Sequence, residues 1–567
     1  MILVNLAAKP FYLQEEDMVW VRNTLASMDV REKVGQLFCP IGMKEDREQL
    51  KALLEGVRPG GMLFRPGPAE RMQEVHRFLQ EYSGVPLLLA ANLEVGGKGI
   101  TVDGTYFGKQ LQVAATDKEE MAYKLGLIAG REGRAVGCNW SFAPVVDIDL
   151  NFRNPITNVR TFGSDPARVA SMAKAYTEGI QKNGLAVSIK HFPGDGVDER
   201  DQHLLTSVNS LSVDEWDETF GMVYRELIEA GAETVMVGHI MLPAYSRKLV
   251  PGIADEELMP ATLAPELLGT LLRKQLGFNG LIVTDATPMA GFMMAEKREI
   301  AVPKSIAAGC DMFLFNKNIQ EDFLYMMKGL ENGILTMERL DEAVTRILAL
   351  KASLGLHQRQ REGSLVPGSD ELAVLQCEEH RLWAQECADH AVTLVKDTQR
   401  LLPIAADTHK RLLLYVLGDG GGHRSTPIAP YLIAKLKAEG FDVTVFDNKN
   451  VDFRTVFSGV EELCEPYDLA LYVANVEPAS NRTTVRIDWE PLLAADVPWF
   501  VQELPTVFVS VASPYHLQDV PRVQTFINAY SGSETIIDAV VDKLLGRSAF
   551  KGISPVDPYC GCWEAKL

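Results

Sequence analysis

What most constrains the fold of this chain is a series of short, almost wholly apolar runs rich in Val, Ile and Leu. Each is separated from the next by a longer stretch of helical periodicity. In the N-terminal part the runs fall at 86–94, 138–148, 185–192, 234–242, 281–286 and 312–316, with 60–64 ahead of them. A strand with one wet face alternates polar and apolar residues, whereas these runs do not alternate, as strands covered on both faces by helices should not. Segments such as 166–182 and 213–230 supply the intervening helices. The first clear helix, 30–38, has Asp29 in its N-cap position and Glu32 three residues on, a capping-box arrangement. About seven or eight strand–helix units over roughly 350 residues suit a barrel of the triosephosphate-isomerase type. A doubly wound open sheet satisfies the same pattern.

The helical run ending near Leu356 gives way to a polar stretch without apolar period, closed by Pro367-Gly368-Ser369. This predicts a barrel over 1–356, a linker over 357–370 and a second α/β domain over 371–567. The second domain's strands are expected at 412–417, 442–446, 469–474, 506–511 and 525–529, joined by parallel crossovers.

Charge narrows the partners. With 56 Lys plus Arg against 76 Asp plus Glu, the formal net charge is −20. Such a surface repels phosphate backbones and anionic lipid, so neither nucleic acid nor a membrane is an expected partner. The stretch Met1–Lys9 has no basic residues ahead of its apolar ones, unlike a secretory signal, and no apolar run approaches a membrane span. The eight cysteines are scattered, with only Cys560 and Cys562 close together. They read as reduced structural thiols, from which a cytoplasmic location is expected.

In a barrel, reactive side chains sit where strands end. The run 185–192 ends in Lys190-His191-Phe192-Pro193-Gly194-Asp195-Gly196, where Pro and Gly turn the backbone out of the strand. A charged loop follows, carrying Asp201-Gln202-His203. A carboxylate two residues before an imidazole can hold one ring nitrogen and leave the other to exchange protons near neutrality. The same spacing also arises by chance in a solvated loop. In the run 281–286, Leu281-Ile282-Val283-Thr284 leads directly into Asp285, which could be a nucleophile or a loop cap. Arg160 could grip hydroxyls through its planar fork or form a structural ion pair with Asp147 or Asp165. Asn92 and Glu94 end the run 86–94, and Asn92 could contact a ligand or satisfy a turn. His239 reads as a satisfied core or loop histidine, and Asp147 and Asp311 as structural residues of the barrel layers.

Together these segments resemble family 3 glycoside hydrolases, in particular their β-N-acetylglucosaminidase branch. The resemblance runs from Met28-Asp29-Val30-Arg31-Glu32-Lys33-Val34-Gly35-Gln36-Leu37 through Asn139–Ile148 and Arg160-Thr161-Phe162-Gly163. Its most specific part is Lys190–Gly196 followed, 11 residues after Lys190, by Asp201-Gln202-His203. His390–Lys396 and Leu401-Leu402-Pro403 look like the opening of the family's α/β-sandwich domain. The resemblance implies Asp285 as nucleophile, His203 as acid/base and Asp201 as its orienting partner. It assigns Arg160, Lys190, His191 and the Asn92 position to the nonreducing sugar. It implies no metal or organic cofactor.

Three positions depart from the family's pattern. Asn92 stands where Asp is usual, Asp195 where His is common, and Gln202 where Ser is common. The activity implied is retaining, exo-acting hydrolysis of β-N-acetylglucosaminides, with short amino-sugar or muropeptide fragments as substrates. A family 3 β-glucosidase, a phosphorylase and an inactive sugar-binding homologue are the alternatives. Phosphorolysis is open because an imidazole that has given up its proton is neutral and does not repel phosphate. A metal-dependent lyase would instead need a cluster of His and carboxylates at the strand ends. Oligomeric state is not encoded in any of these patterns.

Overall fold

The computed structural model of the protein describes residues 4–42, 46–419, 427–447 and 450–567. The first three residues of the N-terminal apolar stretch lie outside them. The described residues divide into two compact units: Met1–Tyr106 with Ala122–Asn151 and Pro166–Arg381, and Phe107–Met121 with Phe152–Asp165 and Leu382–Leu567.

In the first unit each apolar run yields a short strand at its most buried stretch. In chain order these are β1 (Phe38–Cys39, resumed at Ile41–Gly42), β2 (Gly61–Phe64), β3 (Leu88–Ala91), β4 (Trp140–Ser141), β5 (Ala186–Phe192), β6 (Thr234–Val237), β7 (Leu281–Thr284) and β8 (Phe313–Leu314). All pair in parallel and in sequence order, from Ile41 beside Leu63 through to Leu281 beside Thr234. Met312 bridges to Val283, and Phe313 pairs with Phe38, so the sheet curls back onto its first strand. The result is a (β/α)8-like barrel. An open doubly wound sheet would leave β1 and β8 as separate edges.

Every residue of β2 through β8 is buried, which is why the runs do not alternate. The run 138–148 supplies only Trp140–Ser141 as strand, because Pro144 has no N–H to give the ladder. Asp29 and Glu32 form the reciprocal cap of helix Val30–Gln36, with Glu32 N donating to Asp29 Oδ1 at 2.8 Å and Asp29 N to Glu32 Oε2 at 2.9 Å. An earlier helix, Glu15–Ser27, escaped the pattern because it buries only Val21. The segment 213–230 forms two helices, Val213–Glu218 and Phe220–Glu229, divided at the non-helical Thr219. Residues 357–370, polar in sequence, lie largely in the helix Leu356–Glu362 and the turn that follows, with His357 and Val366 buried. Asp311 accepts from Arg273, Arg339 and Arg346 where β8 begins, a structural knot of the kind expected for it.

The second unit is built on a six-stranded sheet of β9 (Thr393–Asp397), β10 (Arg411–Leu417), β11 (Asp442–Val445), β12 (Leu469–Ala474), β13 (Thr506–Ser510) and β14 (Thr525–Asn528), in the order β9-β14-β13-β12-β10-β11. Five strands are parallel, as the crossover pattern predicts. The sheet is mixed because β9 adds to its edge antiparallel to β14. Its two faces follow from the two-residue period of a strand. Leu412 and Leu414 pack with Leu432 and Leu436 of helix Ala429–Ala438, while Leu413, Tyr415 and Leu417 enter the opposite core with Phe500. Among the described residues no helix is long and apolar enough to cross a membrane.

Candidate active site

The site begins at the C-terminal end of β5, where pairing with β6 slips by one residue: Lys190 faces Met236, and Phe192, not His191, faces Val237. A bulge of this kind takes a residue out of strict alternation and re-aims its side chain. His191 uses that freedom to pair with Asp147, which follows β4. Its Nδ1 lies 2.7 Å from Asp147 Oδ2, while its backbone N–H donates to Asp147 Oδ1 at 3.0 Å. With an ionised carboxylate against Nδ1, the other ring nitrogen is Nε2, and it lies 3.8 Å from Asp285 Oδ2. Lys190, nearly buried, extends to the end of β3, with Nζ 2.7 Å from Glu94 Oε1 and 3.5 Å from Asn92 Oδ1. The charge that Asn92 lacks is thus present two residues later, in Glu94.

Asp285 follows β7 directly, and its Oδ1 accepts the Ala286 N–H at 2.6 Å. The side chain keeps 14% of its surface exposed, so a ligand can reach it. Burial by itself would raise its pKa. The imidazoles of His191, His239 and His203, with the Ala286 N–H, outweigh that and hold the carboxyl below its ordinary value.

The loop after Gly196 brings the second half of the constellation. Asp201 is buried, and its Oδ1 accepts both the His203 backbone N–H at 2.9 Å and the ring Nδ1 at 2.7 Å. With Nδ1 donating to the Asp201 carboxylate, Nε2 is the ring nitrogen left outside that pair. The His203 side chain remains 24% exposed. Its charge is felt at Asp285, so the acid/base candidate and the nucleophile candidate share one electrostatic neighbourhood. The carbonyls of Gln202 and His203 accept from Gly291 N at 3.2 Å and Ala290 N at 3.1 Å, on the segment that follows Asp285.

His239 is the satisfied histidine expected. Nδ1 meets Thr262 Oγ1 and Nε2 meets the Ala286 carbonyl, both at 3.1 Å, and burial pushes its pKa down to about 4. Above that pH it is neutral, and it adds to the charge felt at Asp285 only once protonated.

The barrel unit therefore brings together Asp285, His203, Asp201, Lys190, His191 and Asn92. Arg160 ends the turn Asn158–Arg160 within the second unit and is half-buried. Asp147, read in sequence as a structural residue of the barrel layers, hydrogen-bonds both the ring and the backbone N–H of His191. Glu94 likewise received no role, although it is the ion-pair partner of Lys190. Both stand just past strand ends, and that position was the available signal. The departures Asp195 and Gln202 are hydrogen-bonded to each other, Gln202 Nε2 donating to Asp195 Oδ2 at 3.3 Å.

Residues 29–350 match the family described as Glycosyl hydrolase family 3 N terminal domain. Over 570 residues, covering 100% of both chains, the sequence is 49% identical to a beta-N-acetylglucosaminidase/beta-glucosidase of Cellulomonas fimi. A beta-hexosaminidase of Stenotrophomonas maltophilia is 32% identical over 333 residues, 58% of this chain and 87% of that one. Among solved structures, the beta-glucoside phosphorylase BglX matches with a TM-score of 0.93 at 45% identity, with 99% of each chain covered.

Proposed function

The chain belongs to glycosyl hydrolase family 3, and from that premise we propose that it is a retaining β-glycoside phosphorylase. It removes a nonreducing glucose or N-acetylglucosamine from its aglycone and passes the sugar to inorganic phosphate. Asp285 attacks the anomeric carbon while His203 Nε2–H protonates the departing oxygen, so the proton leaves with the aglycone. A phosphate oxygen then displaces Asp285 from the glycosyl-enzyme, and two inversions restore the original configuration. Lys190, His191 and Asn92 bind the sugar, with Glu94 and Asp147 holding Lys190 and His191 in place. Reduced thiols suit a cytoplasmic setting, where phosphate is plentiful.

The observation that carries the reading is the 2.7 Å contact between Asp201 and His203 Nδ1. After protonating the leaving group, the residue facing the incoming acceptor is a neutral imidazole, with its carboxylate buried behind it. A carboxylate in the same place would oppose a phosphate charge at about 4 Å with roughly 4 kcal/mol at an effective dielectric of about 20. Similarity to a β-glucoside phosphorylase and to an enzyme named for both sugars supports the acceptor and the mixed specificity. Hydrolysis of amino-sugar or muropeptide fragments is the second reading, favoured by the hexosaminidase relative.

Turnover of nitrophenyl β-glucoside and β-N-acetylglucosaminide with and without phosphate, followed by phosphorus NMR, separates them. Sugar 1-phosphate as the main product is expected. Free sugar at a rate indifferent to phosphate would leave hydrolysis as the activity, and turnover surviving Asp285→Asn would remove the nucleophile.

A further inference from the structure

We infer that the side-chain amide of Gln202 is a positioning device that holds the loop bearing His203 in register with Asp285. The inference rests on the acid/base role given above to His203. Gln202 is only 1% exposed, and both ends of its amide are engaged. Oε1 accepts the His239 backbone N–H at 2.8 Å, and Nε2 donates to Asp195 Oδ2 at 3.3 Å. The His239 N–H can only donate, so the amide orientation is set by its partners.

Each partner leads to one flank of the nucleophile. On one side, the Asp195 N–H donates to Asp147 Oδ1 at 2.8 Å, and Asp147 fixes His191, whose Nε2 is 3.8 Å from Asp285. On the other, the His239 ring meets the carbonyl of Ala286, the residue after Asp285, at 3.1 Å. Gln202 therefore closes a ring of polar contacts around the floor of the site, one residue before His203. Further ties hold the same loop. Thr206 Oγ1 donates to the Gly291 carbonyl at 2.7 Å, and Ser207–Val208 pairs in parallel with Ile240–Met241, immediately past His239. Those ties fix the end of the loop. The Gln202 amide acts beside the imidazole itself, supplying one donor and one acceptor without charge.

General-acid help matters when the leaving group is poor and little when it is good, so leaving-group dependence isolates the position of His203 from general damage. The test compares kcat/KM for phenyl and dinitrophenyl β-glucosides in Gln202→Glu, Gln202→Met and Asp195→Asn/Gln202→Glu, with His203→Ala as control. Gln202→Glu keeps the acceptor for His239 N–H but sets a carboxylate against Asp195. The phenyl glucoside should lose about 10- to 100-fold, a fraction of the full general-acid contribution, and the dinitrophenyl glucoside far less. Asp195→Asn reverses donor and acceptor and should restore most of the phenyl activity to Gln202→Glu. Gln202→Met should show the same selective loss as Gln202→Glu. Equal losses on both aglycones, no loss at all, or failure of the double variant to recover would overturn the positioning role while His203→Ala still shows the selective loss. If His203→Ala itself lost both substrates alike, the acid/base reading would fall, and the positioning role of Gln202 with it.

Discussion

At the scale of single residues the site is a set of carboxylates with different tasks fixed by their surroundings. Asp285 is held ionised by neighbouring imidazoles and a backbone N–H against the effect of burial. Its protonated form cannot attack carbon, so activity is lost only as pH falls through a lowered pKa. With the dinitrophenyl glucoside, which needs no acid, the acid limb of kcat/KM should lie below the usual carboxylate value of about 3.9. A limb above pH 5 would contradict the assignment. Asp147 fixes His191 through two hydrogen bonds, one to its backbone N–H and one to its ring Nδ1. Asp147→Asn should lower kcat/KM by about 10- to 100-fold, the usual effect of losing a partner that orients a functional imidazole. An unchanged rate would show that His191 needs no such support.

Elements decide how closely the loop and the nucleophile segment approach. A Cβ on Gly291 would lie 2.5 Å from the Gln202 carbonyl and 2.9 Å from that of Leu205, backbone atoms that cannot turn aside. Gly291→Ala should therefore displace the loop and lower phenyl glucoside turnover more than dinitrophenyl turnover, with little change in the unfolding midpoint. In the second unit, the register of β10, β12, β13 and β14 stacks Tyr415, Tyr472, Phe508 and Phe526 ring on ring, with centroids 4.2, 5.7 and 5.2 Å apart in turn. Tyr472 touches two of these neighbours. Tyr472→Ala should cost about 3–5 kcal/mol, the range for deleting a buried aromatic ring, measurable by denaturant unfolding. A loss under about 1 kcal/mol would mean the stack collapses around the gap. No sequence pattern announced this stack, because its members belong to four strands and meet only through sheet register.

The molecule as a whole is held by packing and by a few buried charge clusters, without covalent cross-links. All eight cysteines carry free thiols, and burial pushes those of Cys39, Cys138 and Cys310 well up. The unfolding midpoint should therefore be the same with and without reductant, and these three should react with iodoacetamide only after unfolding. The barrel closes where β8 meets β1, beside Asp311 and its three arginines. Asp311→Asn leaves those guanidinium groups without their shared anion and should destabilise the fold by about 3–5 kcal/mol.

The sequence by itself determined the class of fold, most strand positions, and the presence of Asp285, Asp201 and His203 at strand ends or in the loop that follows. These are local facts: an apolar run covered on both faces, a Pro-Gly pair that turns the backbone out of a strand, a carboxylate two residues from an imidazole. Tertiary structure alone decided that the sheet curls shut, that the slip at His191 turns its ring toward Asp147, that Lys190 reaches Glu94 across from the neighbouring segment, and that Gln202 joins Asp195 to His239. Each of those depends on which distant segments are brought within about 3 Å of one another, the range of a hydrogen bond. Periodicity along a chain carries no record of that distance.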